Sequence, residues 1–595
     1  MWWSPGFLPA LVLSICSLMS HQATSTIDSA LTALPSHRRT SRDVNSPAPV
    51  DCQLSQWSEW TDCFFCQEKK YRHRTLLQPA QFGGRPCSGH LWDEEHCGTG
   101  GSCARSTHCG KDFQCPESGR CLKRHLVCNG EADCRDGSDE ENCEEEDDDN
   151  ESYCGNLFPI PGAEKASLGY NILTQEDRLH VYDPHFFGGQ CEYVYNGEWR
   201  ELKYDPACER LYYGDDEKYF RKPYNFHVYQ FLAHADSGFS TEFYNDSKDL
   251  LDALKTDRSE TNGFTFGIGP QFLKFELGFT LSHQKGSLKN FTQYDAKEVG
   301  FIRGVTKVQT ARFKMRKENI VLDEDILLSL EELPDDYDYG MYAKFINDYG
   351  THFMTSGTMG GVFEYILVVN KEEMRRRDMS SEDVASCFGA SLGIVAVKSE
   401  LNLKASLSTS ECKNKGFFRN DGWSNSAIVE DIIPRIRGGD TSYSGGLLNT
   451  LDSNTYRRWG RSLKYNPAVI DFELQPIDEI LRGSDAAGAK RQHLRRALHG
   501  YVSEFSACRC GPCHNDGEPV LAGDTCVCHC LPGYGGPACA QSRRPGGSRS
   551  GRWSCWSPWS PCQAGRRRRS RQCNNPAPGP GGAACAGPSA RTEPC

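Results

Sequence analysis

Cysteine placement divides this chain into three regions. Of its 30 cysteines, twelve fall in residues 52–143 and twelve in 508–595, whereas residues 144–507 hold only five. Short segments this rich in cysteine cannot bury enough apolar surface and depend on disulfides for their fold. Metal clusters are the alternative, but the spacings are those of disulfide modules. The sequence therefore predicts small disulfide-bonded modules on both sides of one large domain, in a secreted protein.

The N-terminus agrees with secretion. Residues 7–19 are mostly apolar and small residues follow, which is typical of a signal peptide and too short for a membrane helix. We expect a signal peptide over 1–23 and a propeptide over 24–39. No later apolar run reaches the ~18 residues that a membrane helix needs. The 595 residues, 25% of them charged, carry a net charge of -12. This composition excludes wholesale disorder and gives no general attraction to nucleic acid.

Tryptophans and alternating cations form an internal repeat. The first set is Trp57 and Trp60, then Lys70, Arg72 and Arg74. The second set is Trp553, Trp556 and Trp559, then Arg567, Arg569 and Arg571. Alternate residues of a strand share one face, so the cations can stack between the tryptophans. The repeat resembles the thrombospondin type 1 module, expected over 51–104 and 550–595. The resemblance implies C-mannosylation at Trp57, Trp553, Trp556 and Trp559. A basic patch for heparin or nucleic acid is the alternative for 566–569.

Residues 128–140 concentrate acids that would repel one another without a cation, and closely spaced oxygen ligands suit Ca²⁺. The segment resembles the LDL-receptor class A repeat, expected over 107–144. The resemblance implies structural Ca²⁺ held by the side chains of Asn129, Asp133, Asp139 and Glu140 and the carbonyls of Leu126 and Glu131. A solvated acidic surface is the alternative. Residues 508–540 resemble an EGF-like module. Sequons predict N-glycosylation at Asn150, Asn245 and Asn290.

Two segments of the large domain, expected over 150–507, alternate apolar and polar residues. The apolar positions are Phe264, Phe266, Leu273, Phe275, Leu277, Phe279 and Leu281, then Leu392, Ile394, Leu401, Leu403 and Leu407. Each run approaches the ~9–11 residues of a tilted transmembrane strand. Such strands are satisfied in lipid only within a closed barrel, which many chains together could build. A half-buried strand of a soluble sheet shows the same alternation, and the alternation alone favours that interpretation.

The run 347–353 (NDYGTHF), with Gly360-Gly361 shortly after, resembles the central motif of the membrane attack complex/perforin (MACPF) family. The resemblance implies an α+β fold: a bent antiparallel sheet with two helical clusters, which unfurl into membrane hairpins of a multi-subunit β-barrel. It implies motif and hinge roles for Tyr349, Gly350, Thr351, His352, Gly360 and Gly361. Two glycines without side chains would let the sheet bend.

The order of modules resembles that of the terminal complement components. This resemblance implies a secreted subunit that joins the nascent terminal complement complex on a target membrane, inserts in its lipid and promotes addition of the ninth component. The implied disulfide pairs are 52–87, 63–97, 66–103, 109–121, 115–134, 128–143, 154–191, 387–412, 508–555, 510–526, 513–528, 530–539, 562–595 and 573–585. Without Cys16 of the signal peptide the cysteine number is odd, and this pairing leaves Cys208. The resemblance assigns Cys208 an interchain disulfide to a lipocalin-type chain. An unpaired thiol is the alternative.

Other functions fit the sequence less well. The run 389–393 matches G-x-S-x-G, but it opens an apolar alternating segment instead of a hydrolase elbow, and we expect no catalytic residues. We expect a structural role for His352 within the motif. A secreted adhesion or matrix protein with a non-inserting MACPF domain is the main alternative. A self-sufficient pore former is the second, against which the odd cysteine number argues.

Overall fold

A computed structural model describes most of the chain after residue 46. The described residues are 47–64, 68–98, 109–143, 157–174, 176–195, 202–205, 210–213, 219–244, 250, 273–276, 298–391, 409–415, 417, 428–443, 453–482, 488–515, 517–530, 534–542 and 550–594. The predicted signal peptide and propeptide lie outside them.

Short strands dominate both ends of the chain, and the long strands and helices lie between. The strands are β1 (Gln53–Leu54), β2 (Lys69–His73), β3 (Leu76–Gln78), β4 (Trp92–His96), β5 (Phe113–Gln114), β6 (Cys121–Leu122), β7 (Phe158–Pro159), β8 (Leu168–Asn171), β9 (Glu176–His180), β10 (Tyr193–Tyr195), β11 (Leu202–Asp205), β12 (Arg210–Tyr213), β13 (Tyr219–Arg221), β14 (Phe226–Tyr244), β15 (Leu273–Glu276), β16 (Val299–Met315), β17 (His352–Asn370), β18 (Val429–Arg437), β19 (Ala468–Pro476), β20 (Glu518–Ala522), β21 (Thr525–His529), β22 (Tyr534–Gly535), β23 (Gln541–Ser542), β24 (Arg566–Ser570) and β25 (Ala590–Pro594). The helices are α1 (Ala163–Ala166), α2 (Glu324–Glu331), α3 (Tyr339–Tyr349), α4 (Lys371–Arg376), α5 (Ser381–Ser391), α6 (Thr409–Asn414), α7 (Ser453–Ser462) and α8 (Gly488–Glu504).

An antiparallel sheet of eight strands forms the centre of the large domain. Its main path runs β14-β16-β17-β19-β15, and β18 and β8 also pair with β17, with β9 beyond β8. The strand β17 is 19 residues long and has two different neighbours on one side. Its first half, up to Gly360, pairs with β19, and its second half, from Val362, pairs with β18. The expected α+β fold with a large antiparallel sheet is confirmed.

The change of neighbour falls at the Gly360-Gly361 pair. A Cβ atom on Gly360 would lie 1.9 Å from the carbonyl oxygen of Val308, and one on Gly361 would lie 2.4 Å from Leu463. The ladder between β16 and β17 shifts register at the same level, between Gln309 and Ala311. Backbones approach so closely here that only glycine fits, as is common where a strand bulges.

Two large apolar cores lie against the two halves of β17. The first core contains residues of α2, α3 and α8, among them Ile326, Tyr342, Ile346, Leu494 and Leu498. The second contains residues of α4 to α7 and the strand residues Phe363, Tyr365, Leu367 and Val369. The continuous apolar sequence of the second half of β17 is typical of a strand buried on both faces. Residues 359–369 are in fact all buried.

Two sequence patterns of the large domain predict helices: residues 323–333 (DEDILLSLEEL) carry acids in their first turn, and residues 245–254 place Leu250, Leu251 and Leu254 on one side of a helix. The helix predicted over 323–333 is α2, which begins one residue later because Asp323 is its N-cap and accepts a hydrogen bond from the Asp325 amide at 3.0 Å. Of the amphipathic helix predicted over 245–254, only the helical residue Leu250 is described.

The thrombospondin-type modules contain the predicted stacks of tryptophans and cations. In the first, Arg72 lies 4.8 Å from the Trp57 ring centroid and 4.5 Å from that of Trp60. In the second, Arg569 lies 5.0 Å from Trp556 and 4.5 Å from Trp559. These contacts confirm that the alternating arginines serve the module's own fold.

The described residues contain eleven disulfides, and each is a pair that the family resemblance implied. They are 52–87, 63–97, 109–121, 115–134, 128–143, 387–412, 508–555, 510–526, 513–528, 530–539 and 573–585. Each of the other three implied pairs includes at least one residue outside the described part of the chain. Cys208, the predicted interchain cysteine, also lies outside it.

Candidate functional site

The predicted motif joins α3 to the first residue of β17. Tyr349 ends the helix, and its hydroxyl lies 2.9 Å from the Ser329 hydroxyl of α2. Gly350 follows with φ +88°, where a Cβ atom would meet the backbone nitrogen of Tyr170 at 2.7 Å. Only glycine combines this left-handed conformation with so close an approach. The motif therefore fixes the helix against strand β8.

Thr351 and His352 continue this junction. The Thr351 hydroxyl donates to the Tyr170 carbonyl at 3.1 Å and accepts from the Ile172 amide at 3.0 Å. Nδ1 of His352 lies 2.9 Å from the same hydroxyl oxygen, in a hydrogen bond whose direction depends on the tautomer of the imidazole. The imidazole is 1% exposed, and burial lowers the pKa of His352 to about 3. A neutral, enclosed imidazole holds the fold together at this point.

The second half of β17, which pairs with the first half of β16, is covered on both faces of the sheet. On one face, Phe388 of α5 packs on Tyr365, with 4.0 Å between ring centroids, and Cys412 of α6 belongs to the same core. On the opposite face, Leu250 packs with Phe301, Ile366 and Val368. These covering residues flank the two alternating segments predicted from the sequence. Leu250 precedes residues 264–282, and Phe388 and Cys412 lie on either side of residues 392–407.

The alternating segments themselves are described only in small part. Leu273 and Phe275 lie in β15, which pairs antiparallel with β19 and is the last strand on the main path of the sheet. The remaining positions lie outside the described residues: Phe264, Phe266, Leu277, Phe279, Leu281, Leu392, Ile394, Leu401, Leu403 and Leu407. The Cys387–Cys412 disulfide joins α5 to α6 and so closes the loop that contains the second segment.

Several residues at this site were missed by the sequence reasoning. Gly438 and Gly439 follow β18 with φ +76° and +82°, and Gly438 lies against the carbonyl of Gly360. The indole nitrogen of Trp459 donates to the Gly438 carbonyl at 2.9 Å. Glu364 is 1% exposed in the middle of the sheet and pairs with Arg303. Two signals were available in the sequence. Glu364 is a single acid within an apolar run, and Gly438-Gly439 is a second glycine pair.

The G-x-S-x-G run does not form a hydrolase elbow within the described residues. Its first three residues, 389–391, are the last residues of helix α5. An elbow needs the serine on a sharp turn from a strand into a helix.

The predicted calcium ligands share one loop of the class A module. Asn129 donates to the Asp133 carboxylate at 3.0 Å, and Asp139 accepts from the Asp133 amide at 2.7 Å. Glu140 accepts from the amides of Asn129 and Gly130, both at 2.9 Å. The carboxylate oxygens of Asp133, Asp139 and Glu140 do not all lie within 4.8 Å of one another. The loop thus gathers these side chains through its own amides.

The donor chemistry of this loop fits a hard cation. Asp133 and Asp139 are 5% and 0% exposed. Burial, with Asp139 and Glu131 nearby, raises the pKa of Asp133 to about 6, although the Asn129 hydrogen bond opposes the rise. Buried carboxylates need a compensating positive charge, and all the predicted ligand atoms are oxygens, which Ca²⁺ prefers. The side chains of Asn129, Asp133, Asp139 and Glu140 and the carbonyls of Leu126 and Glu131 would hold the ion. When bound, Ca²⁺ would compensate the negative charge of the carboxylates.

Comparison with known families agrees with this architecture. The MAC/Perforin domain model matches residues 167–511. The low-density lipoprotein receptor domain class A model matches 107–143, and the thrombospondin type 1 domain model matches 55–103 and 551–595. The chain therefore belongs to the MAC/Perforin family.

Within that family the chain is similar to complement proteins over most of its length. It is 53% identical to the complement component C8 alpha chain of Oryctolagus cuniculus, over 95% of this chain and 97% of that protein. It is 32% identical to the C8 beta chain of the same species, over 94% and 92% respectively. Complement component C6 of Bos taurus is 31% identical over 94% of this chain and 58% of its own length. This homology makes the chain a complement component of the MAC/Perforin family.

Proposed function

We propose that this chain is a secreted, non-enzymatic subunit of the complement membrane attack complex that inserts β-hairpins into a target membrane. One observation carries the proposal. The residues that flank the two alternating segments pack on opposite faces of the same strand pair, β16–β17. If both coverings left the sheet, each long strand could continue into an adjoining alternating segment without breaking its ladder. Burial of apolar strand faces in lipid would replace the apolar packing that is lost.

The glycine pair supplies a place where the sheet can change shape. Gly360 and Gly361 stand where β17 exchanges β19 for β18, and Gly438 and Gly439 follow β18 at the same level. We propose these glycines as the hinge, because a small change of dihedral angle there would move the second half of β17 relative to the first. The motif residues Tyr349, Gly350, Thr351 and His352 lie at the junction of α3 with the start of β17 and would hold the helices α2, α3 and α8 in place.

We propose the partners from the similarity to the C8 alpha chain. They are the C8 beta chain, the gamma chain through a disulfide from Cys208, the nascent terminal complement complex, the ninth component and the lipid of the target membrane. A non-reducing peptide map of the plasma protein tests the Cys208 assignment directly. Among the described residues, no helix has both the length and the apolar character to cross a membrane.

Ca²⁺ and covalent modifications complete the proposal. Ca²⁺ would bind in the class A loop and stabilise that module. N-glycans are proposed on Asn150, Asn245 and Asn290, which lie outside the described residues. C-mannose is proposed on Trp57, Trp553, Trp556 and Trp559. The indole nitrogen of Trp553 donates to the Ala586 carbonyl at 2.6 Å, so its pyrrole edge is already fixed within the module.

Leakage of dye from liposomes tests the proposed function. The assay uses the earlier terminal components, the ninth component and this chain with its partner chains. We expect rapid leakage in the complete mixture and strong loss when this chain is omitted. Equal leakage without it would contradict the proposal and favour an adhesion or matrix protein with a non-inserting MACPF domain.

A further inference from the structure

The class A module is packed firmly on the large domain. Leu126, whose carbonyl is a predicted calcium ligand, belongs to one apolar cluster with Phe186 of the large domain. The turn Gly188-Gly189 follows Phe186, and a Cβ atom on Gly189 would lie 2.8 Å from the Leu126 side chain. The contact is therefore close enough that the position of the large domain determines where the calcium loop can lie.

Large-domain residues bind two of the predicted calcium ligands directly. Arg221 is 4% exposed and donates from both terminal nitrogens to the carboxylate of Glu131, one contact measuring 2.8 Å. The guanidinium also donates to the Gln190 carbonyl at 2.9 Å and lies 4.0 Å from the Phe187 ring centroid. In addition, the Gly188 amide donates to the Asp133 carboxylate. The Gln190 carbonyl and the Phe187 ring thereby fix Arg221, which can hold Glu131 in one position.

Arg120 makes the reverse connection, from the module into the large domain. It is 6% exposed and donates to the Asp133 carbonyl at 3.0 Å. Its other terminal nitrogen donates to the Asp183 carboxylate at 2.7 Å and to the Leu322 carbonyl at 2.9 Å. Asp133 is therefore held at its carboxylate by Gly188 and at its carbonyl by Arg120.

The docking site lies at the base of two long strands. Arg221 ends β13, five residues before β14 begins at Phe226. Leu322 and Glu324 follow β16, and Arg120 contacts both, the latter at 3.3 Å. Asn225 ties the two sides together by donating to the Val321 carbonyl at 2.8 Å. The strands β14 and β16 are the ones that flank the first alternating segment.

We propose that groups of the large domain hold the ligand residues of the calcium site in position, so that calcium binding and docking of the class A module at the base of β14 and β16 are coupled. This inference rests on the calcium site of the proposed function. Arg221, the Gly188 amide and Arg120 are positioning groups, because they contact the ligand residues without ligating the ion. Outer groups that orient metal ligands commonly change affinity by about 10–100-fold when removed. By linkage, Ca²⁺ then favours docking by the same factor.

The sign of the Arg221 effect separates positioning from simple electrostatics. Removal of a positive charge close to a cation should strengthen binding if charge alone mattered. If Arg221 positions Glu131, its removal should weaken binding. Glu131→Gln removes the ion pair with Arg221 and keeps the main-chain carbonyl, but it also removes a negative charge near the cation. Weaker binding by this variant is therefore expected on either account, and Arg221→Gln is the variant that separates them.

The experiment measures calcium affinity of the full chain by competition with a fluorescent chelator. We expect about 10–100-fold weaker binding for Arg221→Gln and Glu131→Gln, and a smaller loss for Arg221→Lys. The matched control is Arg124→Gln, an exposed arginine of the same module whose side chain donates to the Lys111 carbonyl. Its affinity should equal that of the parent.

Hydrogen exchange of residues 219–230 and 320–325 is the second readout. In the parent, removal of Ca²⁺ should raise hydrogen exchange in these two segments and leave exchange in α8 unchanged. Exchange in α8 at the parent's rate also shows, for each variant, that the large domain is folded. If the parent binds no Ca²⁺, the calcium site itself is wrong. If the parent binds Ca²⁺ and Arg221→Gln binds it equally or more tightly, the calcium site stands and the coupling is wrong.

Discussion

Arg303 and Glu364 form an ion pair between the two central strands of the sheet, with 2.8 Å between Nε and Oε1. Glu364 is 1% exposed, and Arg435 lies opposite it on the other neighbouring strand, β18. Burial lowers the pKa of Arg435, the nearby Arg437 adds to this effect, and Glu364 opposes it. One buried carboxylate therefore forms an ion pair with Arg303 and favours the charge of Arg435 on the other neighbouring strand. Such a group is costly to bury, and it marks one register for the second half of β17, whose other residues are almost all apolar.

Glu364→Gln should destabilise the folded chain strongly. The substitution leaves Arg303 and Arg435 without their shared carboxylate, and breaking a buried pair from one side typically costs about 3–5 kcal/mol. The free energy of unfolding from denaturant titration measures this. Glu372→Gln is the control, because its partner Arg376 is exposed and such surface pairs contribute about 0–1 kcal/mol. Equal effects of the two substitutions would show that the buried pair has no special role.

Alanine at Gly350 or Gly360 should also destabilise the fold. The new Cβ would meet the Tyr170 backbone in the first case and the Val308 carbonyl in the second. We expect a loss on the order of 1–3 kcal/mol or more at each position. Gly460 in helix α7 is the matched control, since a Cβ there meets nothing within 4 Å. Gly460→Ala should stabilise by roughly 0.5–1 kcal/mol, because alanine favours helix. Stabilisation by Gly360→Ala would contradict the close backbone approach.

The free energy of unfolding should decrease as pH is lowered from 6.5 toward 3, and His352 should account for part of this decrease. Burial lowers its pKa to about 3, whereas an unfolded histidine has a pKa of about 6.5. Between these values the unfolded state binds the additional proton, so stability is complete above about pH 6.5 and declines as pH falls toward 3. The slope is about 1.4 kcal/mol per pH unit for one group. Denaturation of parent and His352→Gln at pH 7.5 and 5.5 isolates this contribution. A pH dependence that His352→Gln leaves unchanged would assign it to other groups.

The local features of this fold could be read from the sequence, because each rests on neighbouring residues. The alternation of Arg567, Arg569 and Arg571 predicted their stacking, and the acids after Asp323 predicted the start of α2. Gly350 could be recognised because the motif around it is specific. These predictions needed only the period of a strand or the chemistry of a helix end.

Features that depend on distant parts of the chain could not be predicted. Nothing in the sequence around Arg221 indicates that it contacts Glu131, 90 residues earlier. The exchange of strand neighbours at Gly360 depends on where β18 and β19 end. Alternation at Leu273 and Phe275 predicted a strand, but it could not distinguish an edge of a soluble sheet from a future membrane strand. In this structure β15 pairs with β19 and is an edge strand of the folded sheet.

Contact between β15 and lipid in the assembled complex tests the central claim most directly. Four variants, Leu273→Cys, Lys274→Cys, Phe275→Cys and Glu276→Cys, are labelled one at a time with an environment-sensitive dye. Leu77→Cys, at an exposed leucine of the first module, is the control. Each is assembled with the other components on liposomes that contain nitroxide lipids. We predict quenching by lipid at positions 273 and 275 and none at 274, 276 or 77. Absence of quenching at all four β15 positions, or equal quenching without alternation, would contradict insertion of this strand.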